Sequence, residues 1–237
     1  MQMLKDAILE RGKALNQDIL LVDSFLNHQV DVALMKAVGE TFAEHFANRG
    51  ITRVVTIESS GIAPASFTAL ALGLPLVIMK KQTSRILNGD LLQTTVRSFT
   101  KGTEYQLSVK HEFLNADDNI LLIDDFLASG EAAFGVITLA EQVGAKISGV
   151  GIVIEKAFQS GRKRLEAAGI DVYFLVRIAS MSADRIEFVD CVSELLPRRI
   201  SVCRVLFCQK IEGFTVYFSA QFAKTANFWC KRHQNMI

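Results

Sequence analysis

Two adjacent carboxylates, Asp124 and Asp125, stand at the end of the apolar run Ile120-Leu121-Leu122-Ile123 and shortly ahead of Ala128, Ser129 and Gly130, small residues that leave the backbone uncovered. An acid pair accepts hydrogen bonds from sugar hydroxyls or engages a divalent cation. A short run of bare amide N–H groups opening onto a helix suits a phosphate. The helix end alone favours an anion by roughly 0.3–1 kcal/mol, and convergent amides add to that. Acids beside an anion site would repel their ligand unless they meet its hydroxyls or a bridging cation, and a phosphorylated sugar meets both demands. At their ordinary pKa of about 4, both carboxyl groups are expected to be ionised.

Elements that could carry this corner are visible along the chain. Val32, Met35, Val38, Phe42 and Phe46 recur at spacings of three and four, which predicts a helix that stops at Gly50. RVVTIE (53–58) is a β-branched run read as a buried strand. A helix over 62–72 ended by Gly73, a strand PLVIMK (75–80), and two alternating strands around a Lys-Gly turn over 91–109 follow. NILLID then leads into a helix over 130–143 ended by Gly144. ISGVGIVIE (147–155), a helix over 159–168 ended by Gly169, and VYFLVRI complete the series. This rhythm predicts the α/β class, a doubly wound parallel sheet. Ligands in such sheets sit beyond the carboxyl ends of the strands.

Composition narrows the function classes. The chain has 237 residues, half of them hydrophobic, enough for one large core or two small ones. Seven of its 26 basic residues and one of its 25 acids lie beyond residue 197, leaving 19 against 24 and a net of −5 in residues 1–197. That shift places an expected boundary at Pro197, with a main domain over 1–197 and an extension over 198–237. The extension is irregularly patterned, and its apolar stretches, broken by Arg204, Lys210 and Lys224, are too short to span a bilayer. It is read as an appendage without a part in catalysis. No secretory signal, CxxC pattern or GxGxxG after a strand is present, and His28, His45, His111 and His233 stand alone, so an unexported protein with reduced thiols is expected. Neither nucleic acid nor membrane is an expected partner.

ILLIDDFLASGEAA resembles the phosphoribosyl diphosphate signature of the type I phosphoribosyltransferases, in which four apolar residues, two acids and a small-residue phosphate loop follow in that order. Ser129 stands where the family usually has Thr and keeps the hydroxyl; Glu131 and Ala132 replace a common Gly-Thr pair, so the Glu131 side chain has to point away from the phosphate. VDSFLNHQVD (22–31), TIESSGIAPA (56–65) and GIVIEKAFQ (151–159) are similar to the purine branch, and the similarity runs to about residue 197.

The resemblance implies a sheet of that family's kind with a small hood from the N- and C-terminal segments. It implies that Ala128, Ser129, Gly130, Glu131 and Ala132 bind phosphoribosyl diphosphate and that Leu20, Asn27 and Lys156 line the purine pocket. Ser59, Ser60 and Gly61, after Glu58, together with Lys80 and Lys81, are expected at the diphosphate, and the ribbon 82–105 as a hood loop that closes over it. Asp124 and Asp125 are the expected catalytic pair, acting by electrostatics and positioning. Mg²⁺ is expected to arrive with the substrate, with no metal site built by the protein alone. Xanthine is the implied base: Ala128 occupies the place where enzymes for hypoxanthine and guanine usually carry Asp. A cytoplasmic homodimer in purine salvage is implied as well.

Each position has a structural alternative. Lys156 could solvate a strand end, Asn27 could form a turn, and Leu20 could be core. A guanine or hypoxanthine enzyme is the neighbouring reading. A non-catalytic sensor of the same sugar donor would need a DNA-binding module, for which the thirty or so non-basic residues ahead of the expected first helix leave no room.

Overall fold

The computed structural model describes residues 1–81, 90–98, 103–183 and 185–189, and the backbone of two short strands beyond residue 206. It opens with α1 (Gln2–Arg11), a helix that periodicity did not reveal because only Leu4, Ala7 and Ile8 of its residues are buried. The expectation that the first helix begins at Val32 is corrected accordingly. The chain's α-ammonium donates to the Leu175 carbonyl at 2.8 Å, which ties this segment to the sheet. β1 (Lys13–Ala14) and β2 (Leu20–Leu21) form a small antiparallel pair. A π-type turn over Asp23–Asn27 leads to α2 (Val32–Phe46), where Asp31 caps the first turn by accepting from the Leu34 N–H at 3.1 Å.

From there the alternation runs largely as expected: β3 (Arg53–Ile57), α3 (Ile62–Leu72), β4 (Leu76–Met79), β5 (Leu91–Ser98), β6 (Thr103–Lys110), β7 (Asn119–Leu127), α4 (Glu131–Val143), β8 (Lys146–Lys156), α5 (Gly161–Ala167), β9 (Val172–Ser182) and β10 (Arg185–Phe188). Six strands form one sheet in the order β10-β9-β8-β7-β3-β4. All neighbours are parallel except β10, which returns antiparallel along β9. A parallel sheet has to be covered on both faces, and this one is. Met35, Phe42 and Phe46 of α2 pack with Leu121 and Ile123 on one side; Val136 and Leu139 of α4 pack with Ile120 and Leu122 on the other. α4 ends at Gly144, whose φ of 75° lets its N–H turn back onto the Ala140 and Glu141 carbonyls.

β5 and β6 form a separate antiparallel ribbon, in register from Leu91 opposite Lys110 to Ser98 opposite Thr103. Val96 and Leu107 are buried against α4, and Gly135 is obligatory there because a Cβ would come within 2.5 Å of Val96 Cγ2. The described strands of the expected hood ribbon are therefore anchored on the main core. Residues 82–89 and 99–102, on which closure over a ligand would depend, lie outside the described residues.

The amino ends of the central strands are knitted together by polar side chains. Asp118, almost fully buried, accepts from Arg53 Nε at 2.8 Å, Thr52 Oγ1 at 3.2 Å and the Asn115 N–H at 2.9 Å. Asn119 Nδ2 donates to the Arg49 and Gly50 carbonyls, both at 3.0 Å, and Ser148 Oγ donates to Asn119 Oδ1 at 2.9 Å. Residues Cys191–Ile237 form a second unit, in which β11 (Phe207–Ile211) and β12 (Phe214–Phe218) pair antiparallel. The boundary expected at Pro197 and the C-terminal part of the expected hood lie outside the described residues. Among the described residues no helix is long and apolar enough to cross a membrane.

Candidate active site

Asp124 and Asp125 lie inside β7, not after it. The strand runs on to Leu127 because β8 extends equally far, pairing Phe126 with Ile154 and Leu127 with Glu155. The two carboxyl groups therefore sit on a rigid ladder. Asp124 is 9% exposed, and its Oδ1 accepts from the Asp125 N–H at 3.1 Å. Burial pushes the Asp124 carboxyl well above the ordinary 3.8, and the neighbouring Asp125 pushes it further, while Lys81 opposes both. The expectation that both acids are ordinary ionised carboxylates is corrected for Asp124, since a charge there would be stripped of water.

This has a measurable consequence for stability. The folded chain holds the Asp124 proton more tightly than the unfolded chain does. Its stabilising contribution is complete below the ordinary pKa of 3.8 and is lost as pH rises toward the higher folded value. Asp124→Asn removes that loss, so its Tm is expected to exceed the wild-type Tm at about pH 7 and to converge with it near about pH 4. Thermal melts of both proteins across this range are the check; parallel curves would contradict the assignment.

The loop after β3 approaches the acids from the side. The Glu58–Ser59 peptide is cis. The Glu58 carboxylate is turned toward the end of β4, accepting from the Lys81 N–H at 2.8 Å and pairing with Lys80 Nζ at 3.0 Å. Burial raises the Glu58 pKa, but the Lys81 amide and the Lys80 ammonium outweigh it and the net shift is downward. Ser59 is exposed and Ser60 partly so, while Gly61 is buried. Gly61 is packed between Thr56 and Asp124: a Cβ would lie 2.3 Å from Thr56 Oγ1 and 2.8 Å from Asp124 Oδ1. Lys81 Nζ stands 5.9 Å from the centre of the Tyr105 ring. That contact brings the ribbon strand β6 to the same corner, where burial raises the Tyr105 phenol's pKa and the carboxyl groups of Asp124 and Glu131 raise it further.

Ala128, Ser129 and Gly130 link β7 to α4, with Gly130 at φ 88°, a conformation that favours glycine. Glu131 and Ala132 open the helix, which starts one residue after the expected Gly130. The Ala128 carbonyl accepts from the Gly161 N–H at 2.9 Å, and the Ser129 carbonyl accepts from Arg164 Nη1 at 2.6 Å. A trans peptide sets its N–H opposite its C=O, so the Ser129 and Gly130 amides face away from α5. No side chain caps the first turn of α4, which leaves its amides to a ligand. Glu131 does point aside: its carboxylate pairs with Arg164. Ser129, Glu131, Gln159, Ser160 and Arg164 line an open cleft of about 540 Å³ next to this turn.

On the other flank Lys156 closes β8. It is 9% exposed, donates through Nζ to the Asp18 carbonyl at 2.5 Å, and lies 5.3 Å from the Phe126 ring centre. Burial lowers its pKa, while the charges of Asp18 and Asp125 pull the other way. The Asp18 contact brings the segment carrying Leu20 to the end of β8. Leu20 itself is buried among core residues, and Asn27 is exposed at the end of the π-type turn. The structure thus gathers Asp124, Asp125, Gly61, Lys81 and Lys156 at one end of the sheet. Arg164, Gly161, Tyr105 and Phe126 belong there as well and were not singled out from sequence; only Gly161, a glycine next to a helix start, carried a signal that could have found it. Among the described residues, no three His, Cys, Asp or Glu side chains cluster to hold a metal ion.

The chain is similar to known proteins. Residues 17–176 match the family model for the phosphoribosyl transferase domain. A Clostridium botulinum protein named xanthine phosphoribosyltransferase 1 is 57% identical over 189 residues, covering 80% of this chain and 100% of that protein. A Listeria monocytogenes xanthine phosphoribosyltransferase is 52% identical over 190 residues, covering 80% and 99%. Among solved structures, the adenine phosphoribosyltransferase of Giardia lamblia complexed with 9-deazaadenine superposes with a TM-score of 0.64 at 24% identity, over 73% of this chain and 97% of that one. The Trypanosoma brucei enzyme in complex with AMP, pyrophosphate and ribose-5-phosphate gives 0.63 at 18% identity, over 73% and 79%. At these identities the structural likeness establishes the fold.

Proposed function

The chain belongs to the phosphoribosyltransferase family, and from that premise we infer that it transfers the 5-phosphoribosyl group of phosphoribosyl diphosphate to xanthine, giving xanthosine 5'-monophosphate and diphosphate in purine salvage. The observation that carries this reading is the juxtaposition of a buried lysine, Lys156, with the acid pair and the uncapped start of α4 at adjacent strand ends.

The reaction breaks the bond between the ribose anomeric carbon and a diphosphate oxygen, which leaves with the electron pair, and forms a bond from that carbon to a ring nitrogen of the base. In this proposal the amides of Ser129, Gly130, Glu131 and Ala132, with Ala128 shaping the turn, hold the 5-phosphate. The backbone of Ser59, Ser60 and Gly61 meets the diphosphate, with Lys80 and Lys81 beside it. Asp124 and Asp125 face the ribose hydroxyls, and the Asp125 carboxylate stabilises the positive charge that grows on the sugar as the leaving group departs. Lys156 donates to an oxo group of the purine, Leu20 backs the ring through the core, and Asn27 reads its polar edge. Xanthine loses a proton more readily than other oxopurines, so a cation at Lys156 favours it.

Mg²⁺ in this proposal arrives on the diphosphate oxygens, with the carboxyl groups of Asp124 and Asp125 within the same site. Mg²⁺ bound to the diphosphate would neutralise the leaving group's charge. Assembly as a homodimer in the cytoplasm belongs to the same proposal.

The test is a product assay. With phosphoribosyl diphosphate and Mg²⁺, kcat/KM for xanthine is expected to exceed those for guanine and hypoxanthine by about tenfold or more, the scale of one discriminating hydrogen bond. Preference for guanine or hypoxanthine would move the chain to the neighbouring branch, and binding of the donor without turnover would mark a sensor.

A further inference from the structure

We propose that Arg164 is a positioning residue for the phosphate-binding turn, orienting its peptide groups and cancelling the acidic side chain built into it. This rests on the reading above that the turn after β7 takes a phosphate monoester.

Three contacts from one guanidinium span the turn. Nη1 donates to the Ser129 carbonyl at 2.6 Å and to the Glu131 carboxylate, and the guanidinium carbon lies 4.8 Å from the Phe134 ring centre. Arg164 thereby grips the turn and the first helical turn from α5, the neighbouring element. The backbone contact fixes the Ser129–Gly130 peptide with its carbonyl toward α5 and its N–H toward the opposite side. The Gly161 N–H does the same for the preceding peptide through the Ala128 carbonyl. Gly161 must be glycine for this, since a Cβ would lie 2.5 Å from that carbonyl oxygen.

The side-chain contact resolves an electrostatic conflict. Glu131 occupies the first position of α4, where its backbone N–H is one of the amides offered to an anion and its carboxylate would repel that same anion. Paired with Arg164, the carboxylate is drawn aside and its charge is met. Glu131 and Arg164 thus form a unit: Glu131 alone would oppose the anion, and paired with Arg164 it leaves the amides unopposed.

Calorimetric titration of phosphoribosyl diphosphate into Arg164→Ala is expected to give a Kd about tenfold or more above wild type, the worth of a charge-assisted hydrogen bond. The KM for the base and kcat at saturating donor are expected to change by less than about threefold. Adding Glu131→Gln to Arg164→Ala is expected to recover at least about threefold of the lost donor affinity, because the orphaned charge is removed. A general loosening of the fold would not be repaired by that second change. A Kd for Arg164→Ala within about twofold of wild type would overturn the proposal, and so would a double variant no better than the single one. If Arg164→Ala melts below the assay temperature, Arg164→Gln, which keeps a donor but not the charge, decides by the same two readouts. Wild-type protein that binds the donor without forming nucleotide would refute the enzymatic reading and leave this titration valid; wild-type protein that does not bind it would refute both.

Discussion

Asp125→Asn is expected to lower kcat by about two to three orders of magnitude while changing the KM for the base by less than about threefold. The two adjacent acids are not equivalent. Asp124 is buried beside Gly61, with Lys81 among its charged neighbours, and its proton is held by burial. Asp125 is half-buried, and its charge acts on Lys156. A carboxylate between the sugar and the base is where positive charge on the anomeric carbon is best met. An amide of the same shape keeps the packing and the acceptor but removes the charge, so the loss falls on the step in which charge develops. Steady-state kinetics with both substrates varied separate the two effects. A variant that keeps more than about a third of wild-type kcat would show that Asp125 has no electrostatic part in the reaction.

Gly61→Ala is expected to be nearly as damaging, by a different route. The added methyl would lie 2.3 Å from Thr56 Oγ1 and 2.8 Å from Asp124 Oδ1, with the Ile57 carbonyl oxygen at 3.3 Å. Thr56 is fully buried and Asp124 nearly so, which leaves little space for either to retreat. Overpacking of this kind costs about 1–3 kcal/mol of stability. The larger effect is on turnover: displacing Asp124 drags a strand that also carries Asp125, and a misplacement of about 1 Å can cost about 100-fold in rate. A melt and a kcat measurement on the same preparation are sufficient. Activity within about threefold of wild type would show that the loop yields and that this corner tolerates movement.

The fold was legible where burial dictates composition. The strands β3 and β7 are covered on both faces and announce themselves by the apolar runs Val54-Val55 and Ile120-Leu121-Leu122-Ile123, and Phe42 and Phe46 report the inner face of α2 directly. α1 was not legible because one turn's worth of apolar residues, mixed with Lys5, Asp6, Glu10 and Arg11, suffices to seat it on the existing core. The end of β7 was misjudged because paired acids ordinarily stop a strand, whereas here the neighbouring strand continues alongside. Within the candidate site, the acids and the small-residue turn were readable as residue types out of place after an apolar run, whereas Lys156 was picked out by the family resemblance. The raised pKa of Asp124 was not, since it depends on what covers the side chain. Arg164 was not readable either. In GRKRLEA it is one of three consecutive cationic positions, and only the packing of α5 against the turn distinguishes it from Arg162, which pairs with Glu166 along its own helix.

The clasp around Asp118 and Asn119 lies at the end of the sheet opposite the candidate site. It fixes the relative height of β3, β7 and β8 from below, so alignment of their upper ends is inherited through the ladders. The strand ends that carry the rim therefore inherit their level from a foundation some strand-length away.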